Sequence, residues 1–403
     1  MLLWLSVFCG VVATLLFVFT IVGISRVQSI TAMLGISRVM NFHRWAAAIV
    51  LILIIIHVAF LVIADPANLD LLNPLGGTAA SKSALLGTVS LLAILWVARF
   101  RGQYYDAWRW VHLALAVLAV VGITGHLLFL GHRYVPWIAT TAIIVFFLIR
   151  RWLWAPLRGR AYVVAEVRYE RPCVATVILS PHRESRHARI EIMTFKPGQF
   201  AWVRLRRLFA REEHPYTIAS SPDDNTLEFT VKYSPGSFSD KFANLTVGQK
   251  VFLDGPHGSF TPEKRDLVLV AAGVGITPIM SMLRTLSQQE DPRRMILIHM
   301  GSKPLFSDEI NKLKKRLNLR ILSVVGAGIT AEALAGVLPA RQRRHYHYYV
   351  CGPPSLIQDT LVALRELEVP AGRIHTEQFA STPPAGIDRH TNGVVRRDGR
   401  HRA

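Results

Sequence analysis

Four histidines on two apolar stretches constrain this chain more than any other feature. His43 and His57 lie on one stretch, His112 and His126 on another, and each pair is 14 positions apart. At 100° per residue, 14 positions fall 40° short of four full helical turns, so each pair shares one helix face. A rise of ~1.5 Å per residue sets the two members ~21 Å apart along the axis. A hydrocarbon core is ~30 Å thick, which leaves one histidine near each leaflet. One apolar helix, residues 84–98, intervenes, so with single-pass connections the two carriers run parallel. His43 is then level with His112, and His57 with His126. Ionisable groups at membrane depth are costly and mark function. Two imidazole pairs at two depths are the geometry for two stacked b-type haems, each iron held by two histidines.

The 403 residues are enough for two or three domains. Long apolar runs dominate up to about residue 155, and the remainder reads as a soluble α/β protein. The three cysteines, Cys9, Cys173 and Cys351, are scattered and offer no zinc, iron–sulfur or disulfide framework. The net charge of +19 lies largely beside the membrane segments, where anionic lipid headgroups account for it, so nucleic acid is not an expected partner.

Five spans are expected, at residues 2–24, 43–63, 84–98, 110–130 and 137–154. The first has no Lys or Arg before Arg26, unlike a cleaved signal peptide, and reads as a retained helix. Arg26, Arg38 and Arg44 precede the second span, Arg99, Arg101 and Arg109 separate the third from the fourth, and Arg150, Arg151, Arg158 and Arg160 follow the fifth. The alternate loops carry Asp65, Asp70 and Lys82, or Arg133 alone. The positive-inside rule then puts the N-terminus outside an inner (plasma) membrane and everything after Arg150 in the cytoplasm. His43 and His112 face the inner leaflet, His57 and His126 the outer. His132 and Arg133, in the short outer loop, are the candidates for attracting an external acceptor; they read first as headgroup anchors.

Residues 156–262 read as short strands of a small antiparallel barrel, with strands near 162–167, 174–179, 200–205 and 227–233. Residues 263–380 alternate strand and helix, the pattern of a doubly wound parallel sheet. From residue 381 the chain is rich in Pro, Gly, Arg and His and reads as a disordered tail. The expected architecture is thus multi-domain: an α-helical transmembrane bundle, an antiparallel β-barrel and an α/β doubly wound domain.

His214-Pro215-Tyr216-Thr217-Ile218-Ala219-Ser220-Ser221 closes a barrel strand and offers what a flavin needs: an aromatic face, a hydroxyl beside it and a basic residue nearby. Lys232 to Ser239 follows, a Gly/Ser turn with Gly236 and Ser237 that opens a helix, whose amides suit a phosphate or simply cap the helix. Gly273-Val274-Gly275-Ile276-Thr277-Pro278 comes after the apolar strand 267–271 and opens a helix, the context of a dinucleotide turn. Cys351-Gly352-Pro353-Pro354 makes another tight strand-to-helix turn.

PGQF (Pro197–Phe200), HPYTIASS, DGPHGSF (Asp254–Phe260), GVGITP and CGPP, in this order, resemble the ferredoxin–NADP reductase family. With the histidine-bearing block in front, residues from about 35 to 380 resemble the NADPH oxidase and ferric reductase family. The resemblance implies that His214, Pro215, Tyr216, Thr217 and Ser220 hold FAD, with Lys232, Gly236 and Ser237 on its phosphate side. It implies that Gly273, Gly275, Thr277 and Pro278 hold the nicotinamide dinucleotide, with Cys351 and Gly352 near the nicotinamide. Phe379 stands where family members often have a ring-covering aromatic, but a polar tail follows it here. The family commonly has six membrane helices, against five counted here.

The implied function is transmembrane electron transfer from NADPH through FAD and two haems to an external small-molecule acceptor. Oxygen giving superoxide leads. A ferric chelate or a periplasmic protein partner are the alternatives. Nothing in the sequence calls for a protein activator or for calcium regulation. NADPH is preferred over NADH because the second strand of the nucleotide fold runs into Ser302 and Lys303, with no acidic residue before Asp308.

Overall fold

A computed structural model of the chain describes residues 1–25, 36–100, 105–130, 134–150, 159–182, 192–207, 212–301, 304–324, 329–338 and 340–378. Its first part holds five apolar helices: α1 (Leu2–Ile24), α2 (Ile36–Ala64), α3 (Ala79–Val97), α4 (Tyr105–Phe129) and α5 (Tyr134–Ile149). Among the described residues, four helices are long and apolar enough to cross a membrane, and α5 is described over 16 residues. Boundaries differ from the sequence reading where local chemistry overrides hydropathy. The α2 helix begins at Ile36, so the polar stretch through Arg38 and Arg44 is helical too. The α3 helix begins at Ala79 because the Thr78 side chain accepts from Ser81 N and caps it.

In this bundle α1 packs along α2, and α3 along α4. The second contact is made by small residues. A Cβ on Gly122 would overlap the backbone of Gly87 and the carbonyl of Ser83, and one on Gly125 would crowd the Ser83 side chain. Without a hydrophobic drive between helices in lipid, such close backbone approach is what makes a helix contact favourable. One apolar cluster draws on all five helices: Phe17 and Ile21, Val50, Leu91 and Ile94, Ala119, and Ile144. Val50 and Ala119 are each 1% exposed, and each stands midway between the two histidines of its helix.

A six-stranded antiparallel sheet follows: β1 (Arg160–Arg171), β2 (Val174–Pro181), β3 (Phe200–Arg204), β4 (His214–Thr217), β5 (Leu227–Lys232) and β6 (Lys250–His257). Its order is β4-β3-β6-β1-β2-β5. The short helix α6 (Phe238–Ala243) sets the buried Phe242 into the apolar interior, against Phe229. The last unit is a five-stranded parallel sheet of β7 (Leu267–Ala272), β8 (Met295–Met300), β9 (Leu319–Val324), β10 (His347–Gly352) and β11 (Ile374–Gln378), in the order β11-β10-β7-β8-β9. Helices α7 (Thr277–Gln288), α8 (Ser307–Lys314), α9 (Ala331–Val337) and α10 (Pro354–Glu366) connect its strands. Near-continuous burial along β7, β8 and β10 is what a parallel sheet covered on both faces requires.

Candidate functional site

The membrane histidines meet in the way the spacing requires. The rings of His43 and His112 are 6.5 Å apart between centroids, at 69°. A metal held between two imidazoles at ~2 Å from each nitrogen separates ring centroids by roughly 6 Å, so this gap fits one iron. At the other level His57 neighbours His126. Here the tautomers are readable. His57 Nδ1 lies 2.7 Å from the Ser6 carbonyl oxygen, and His126 Nδ1 lies 3.0 Å from the Ala80 carbonyl oxygen. A carbonyl only accepts, so both Nδ1 atoms carry the proton and both Nε2 atoms keep a lone pair. That is the form in which imidazole ligates a metal. His43 Nδ1 is buried, with the Thr20 backbone beside the ring, and Trp108 stacks on His112 with centroids 5.0 Å apart.

In the barrel, β4 is an edge strand, paired on β3 alone with Phe200 opposite Thr217 and Ala201 opposite Tyr216. An edge tolerates Pro215, which has no amide to donate. Residues alternate along the strand, so His214 and Tyr216 lean together against α6. His214 stacks on Phe238 at 4.4 Å and 14°, and Tyr216 on Phe242 at 5.2 Å and 21°. The Tyr216 hydroxyl shares a 2.7 Å hydrogen bond with Ser239 Oγ. Burial holds the His214 imidazole below its ordinary pKa, against the pull of Glu212 3.5 Å away. It is therefore a weak source of positive charge for a pyrophosphate. Thr217 is buried, and its Oγ1 has no hydrogen-bond partner. A buried orphan hydroxyl at the end of the HPYT strand fits a flavin heteroatom.

Other residues of the flavin stretch are engaged elsewhere. Ser220 is fully buried; its Oγ accepts from Glu228 N and its carbonyl accepts from Ser281 Oγ at 2.7 Å. At the Gly/Ser turn, Ser237 Oγ accepts from Asp240 N and Gly236 N donates to Asp240 Oδ2, so these groups cap α6. Lys232 ends β5 with an exposed side chain.

The nucleotide motifs converge at the C-terminal end of the parallel sheet, where ligands of such sheets bind. Gly273 has φ +55°, and a Cβ there would meet nothing within 4 Å, which leaves open space over the turn. Gly275 has the opposite role, since a Cβ on it would overlap the Cys351 carbonyl. Thr277 begins α7 and its hydroxyl donates to the Val274 carbonyl at 2.9 Å, with Pro278 next in the first turn. Gly352 follows Cys351, which is fully buried. Burial, with Glu377 nearby, pushes the Cys351 thiol well up. Glu377 pairs in register with Cys351 across β10 and β11, and burial pushes its carboxyl up to about 8. Ser302, Lys303, Phe379, His132 and Arg133 lie outside the described residues.

A seam joins the flavin and nucleotide motifs. Directly after HPYTI, the Ala219 carbonyl accepts from Arg284 at 2.8 Å, the Ser220 carbonyl accepts from Ser281, and Ser221 Oγ bonds to Gln288 and Thr285. All four partners sit on α7, into which GVGITP leads. None of them was singled out in the sequence reading. A polar set at 281, 284, 285 and 288 on an otherwise apolar helix is a legible stripe at helical spacing.

Comparison with known proteins agrees with this division. Residues 9–123 match the ferric reductase like transmembrane component, residues 183–261 an FAD-binding domain and residues 269–361 the oxidoreductase NAD-binding domain. The ferredoxin reductase component of 3-ketosteroid-9-alpha-monooxygenase from Rhodococcus rhodochrous is 28% identical over 201 residues, 46% of this chain and 56% of that protein. The flavohemoprotein of Deinococcus radiodurans is 27% identical over 213 residues, 46% of this chain and 51% of that one. The chain thus spans about half the length of these curated relatives. Among solved structures, the flavohem-like FAD/NAD binding domain of nitric oxide dioxygenase from Vibrio cholerae is 25% identical, with a TM-score of 0.47, over 55% of this chain and 98% of that one. The chain is an oxidoreductase of the integral-membrane, flavin- and nicotinamide-binding kind. Its three parts in this order fit the NADPH oxidase and ferric reductase family.

Proposed function

We propose that the protein carries electrons from cytoplasmic NADPH across the membrane, by way of FAD and two b-type haems, to oxygen outside, which leaves as superoxide. The observation that carries the reading is the facing pair His43 and His112, 6.5 Å between ring centroids, on helices that repeat the same pair 14 residues further on. FAD takes a hydride and gives electrons up singly, and haem iron carries them one at a time.

The chain's own residues do the rest. Thr217 Oγ1 is free to hydrogen-bond the flavin. Gly275 lets the GVGITP turn sit against the buried Cys351, and these residues would hold the nicotinamide end of the dinucleotide in a dry part of the site. Nε2 of His57 and of His126 would hold the outer iron, the proton of each ring being held at Nδ1 by a backbone carbonyl. Two histidines at each level would leave the acceptor to take its electron without binding iron, and His132 and Arg133, in the short outer loop, would attract it. The arginine alternation puts the flavin and nucleotide domains in the cytoplasm and His57 with His126 at the outer leaflet. Ferric-chelate reduction is the second reading, favoured by the match of residues 9–123 to a ferric reductase component.

The deciding experiment is NADPH-driven reduction of an external dye by cells or oriented vesicles, with and without superoxide dismutase and with and without ferric chelate. Dismutase-sensitive dye reduction that persists without chelate is expected. Activity that needs chelate and ignores dismutase refutes oxygen as the acceptor. Absence of haem from the purified chain refutes the whole route.

A further inference from the structure

We propose that α1 is the positioning helix for the α2 histidines, and that Ser6 and Gly10 fix the outer one, His57. The proposal rests on the reading that the four histidines hold haem. Ser6 is 1% exposed and closes a ring of contacts with His57. Its carbonyl lies 2.7 Å and its Oγ 2.9 Å from His57 Nδ1, while its hydroxyl donates to the His57 carbonyl at 2.9 Å. The other two hydroxyls of α1 stay within their helix, Thr14 donating to the Gly10 carbonyl and Thr20 to the Phe17 carbonyl. Gly10 is one turn on from Ser6. A Cβ there would lie 3.2 Å from His57 Nδ1 and 3.3 Å from its Cε1, closer than a side chain ordinarily packs, so the glycine lets the ring lie flat on the helix.

The register extends inward. Fourteen positions after Ser6 the backbone of Thr20 lies beside His43, so α1 meets both α2 histidines at their own spacing, in the antiparallel sense. The outer imidazole is held by a hydrogen-bonded Nδ1–H. A hydrogen bond from Nδ1–H makes the imidazole a more basic ligand and favours the ferric state of the iron it holds. Ser6 thus keeps the outer centre a strong one-electron donor, as delivery to oxygen requires.

The test uses the full-length protein with Ser6→Ala, Ser6→Thr and Gly10→Ala. Haem is counted by pyridine haemochrome, and the two midpoint potentials are read by potentiometric titration, the outer wave being the one missing from His57→Ala. The Ser6→Ala change leaves the backbone acceptor in place and removes only the hydroxyl. Two haems per chain and an upward shift of the outer potential alone are expected, with Ser6→Thr restoring the wild-type value. Gly10→Ala should shift the low-spin ferric EPR signal of the same centre by turning the His57 ring. Two haems with both potentials and both EPR signals unmoved overturn this proposal alone. A wild-type chain that binds no haem overturns the functional reading and this proposal with it.

Discussion

Replacing Arg284 with methionine tests the seam between the flavin and nucleotide motifs. The guanidinium donates to both carboxylate oxygens of Glu309 at 2.6 and 2.8 Å, to Glu228 at 2.8 Å and to the Ala219 carbonyl at 2.8 Å. Methionine keeps most of the aliphatic stem and removes every donor. Breaking a buried ion pair by deleting one partner costs ~3–5 kcal/mol. Two features put this case at the low end. Glu309 is 37% exposed and can rehydrate, and Glu228 retains Arg168 at 3.2 Å. The expected loss is therefore about 3 kcal/mol, or a midpoint lower by roughly 6–12 °C for a cooperative unit of some 200 residues. Flavin fluorescence during thermal unfolding in detergent measures it. Because the same guanidinium anchors the residue after HPYTI to the helix that GVGITP begins, NADPH-driven flavin reduction in stopped flow should slow as well. Arg284→Lys should recover only part of either loss, since an ammonium cannot span two carboxylates and a carbonyl in one plane. A midpoint within 1–2 °C of wild type and an unchanged reduction rate in Arg284→Met would refute the reasoning.

Four further outcomes are expected. Thr217→Val, which deletes the orphan hydroxyl at nearly constant volume, should weaken FAD retention up to about tenfold, one neutral hydrogen bond, while the haem spectrum stays intact; unchanged FAD affinity by equilibrium dialysis would contradict it. Gly122→Ala should force α3 and α4 apart and destabilise the bundle by ~1–3 kcal/mol, read as a lower haem-to-flavin ratio after mild heating. The Glu377 carboxyl is pushed up to about 8 in the folded chain against an ordinary 4.5, so its neutral form contributes stability that is complete below pH 4.5 and lost as pH rises through 8. Glu377→Gln should therefore gain thermal stability over wild type across that window, and parallel melting-against-pH curves would contradict it. Lys303→Ala should remove most of the preference for NADPH over NADH in kcat/KM, and equal values for the two nucleotides in wild type would overturn the assignment.

What the sequence disclosed followed from rigid local periods. The 14-residue spacing of His43 with His57 and of His112 with His126 needs only the helical repeat, and the facing of His43 and His112 follows once the carriers run parallel. The strand-to-turn-to-helix context of GVGITP needs only neighbouring residues. Edge strands were harder. The β11 sequence Ile-His-Thr-Glu-Gln has no apolar alternation, because one of its sides has no strand to pair with, so Glu377 could not be placed beside Cys351. The polar stripe of α7 was visible in its spacing but reads equally as a solvated face until Ala219, Ser220 and Ser221 are found against it.

Register between separate elements is the information that a single sequence carries least. Ser6 lies 51 positions from His57, and Ala80 lies 46 from His126. Neither offers more than a small side chain or a backbone carbonyl, so no residue type announces the contact. Yet these groups decide which ring nitrogen holds the proton, and with it which nitrogen is left to bind a metal. The four histidines are thus written in residue type and period, while the groups that orient them are written in packing. The 14-residue repeat bridges the two, because a helix that meets His57 at Ser6 in an antiparallel bundle must meet His43 near Thr20.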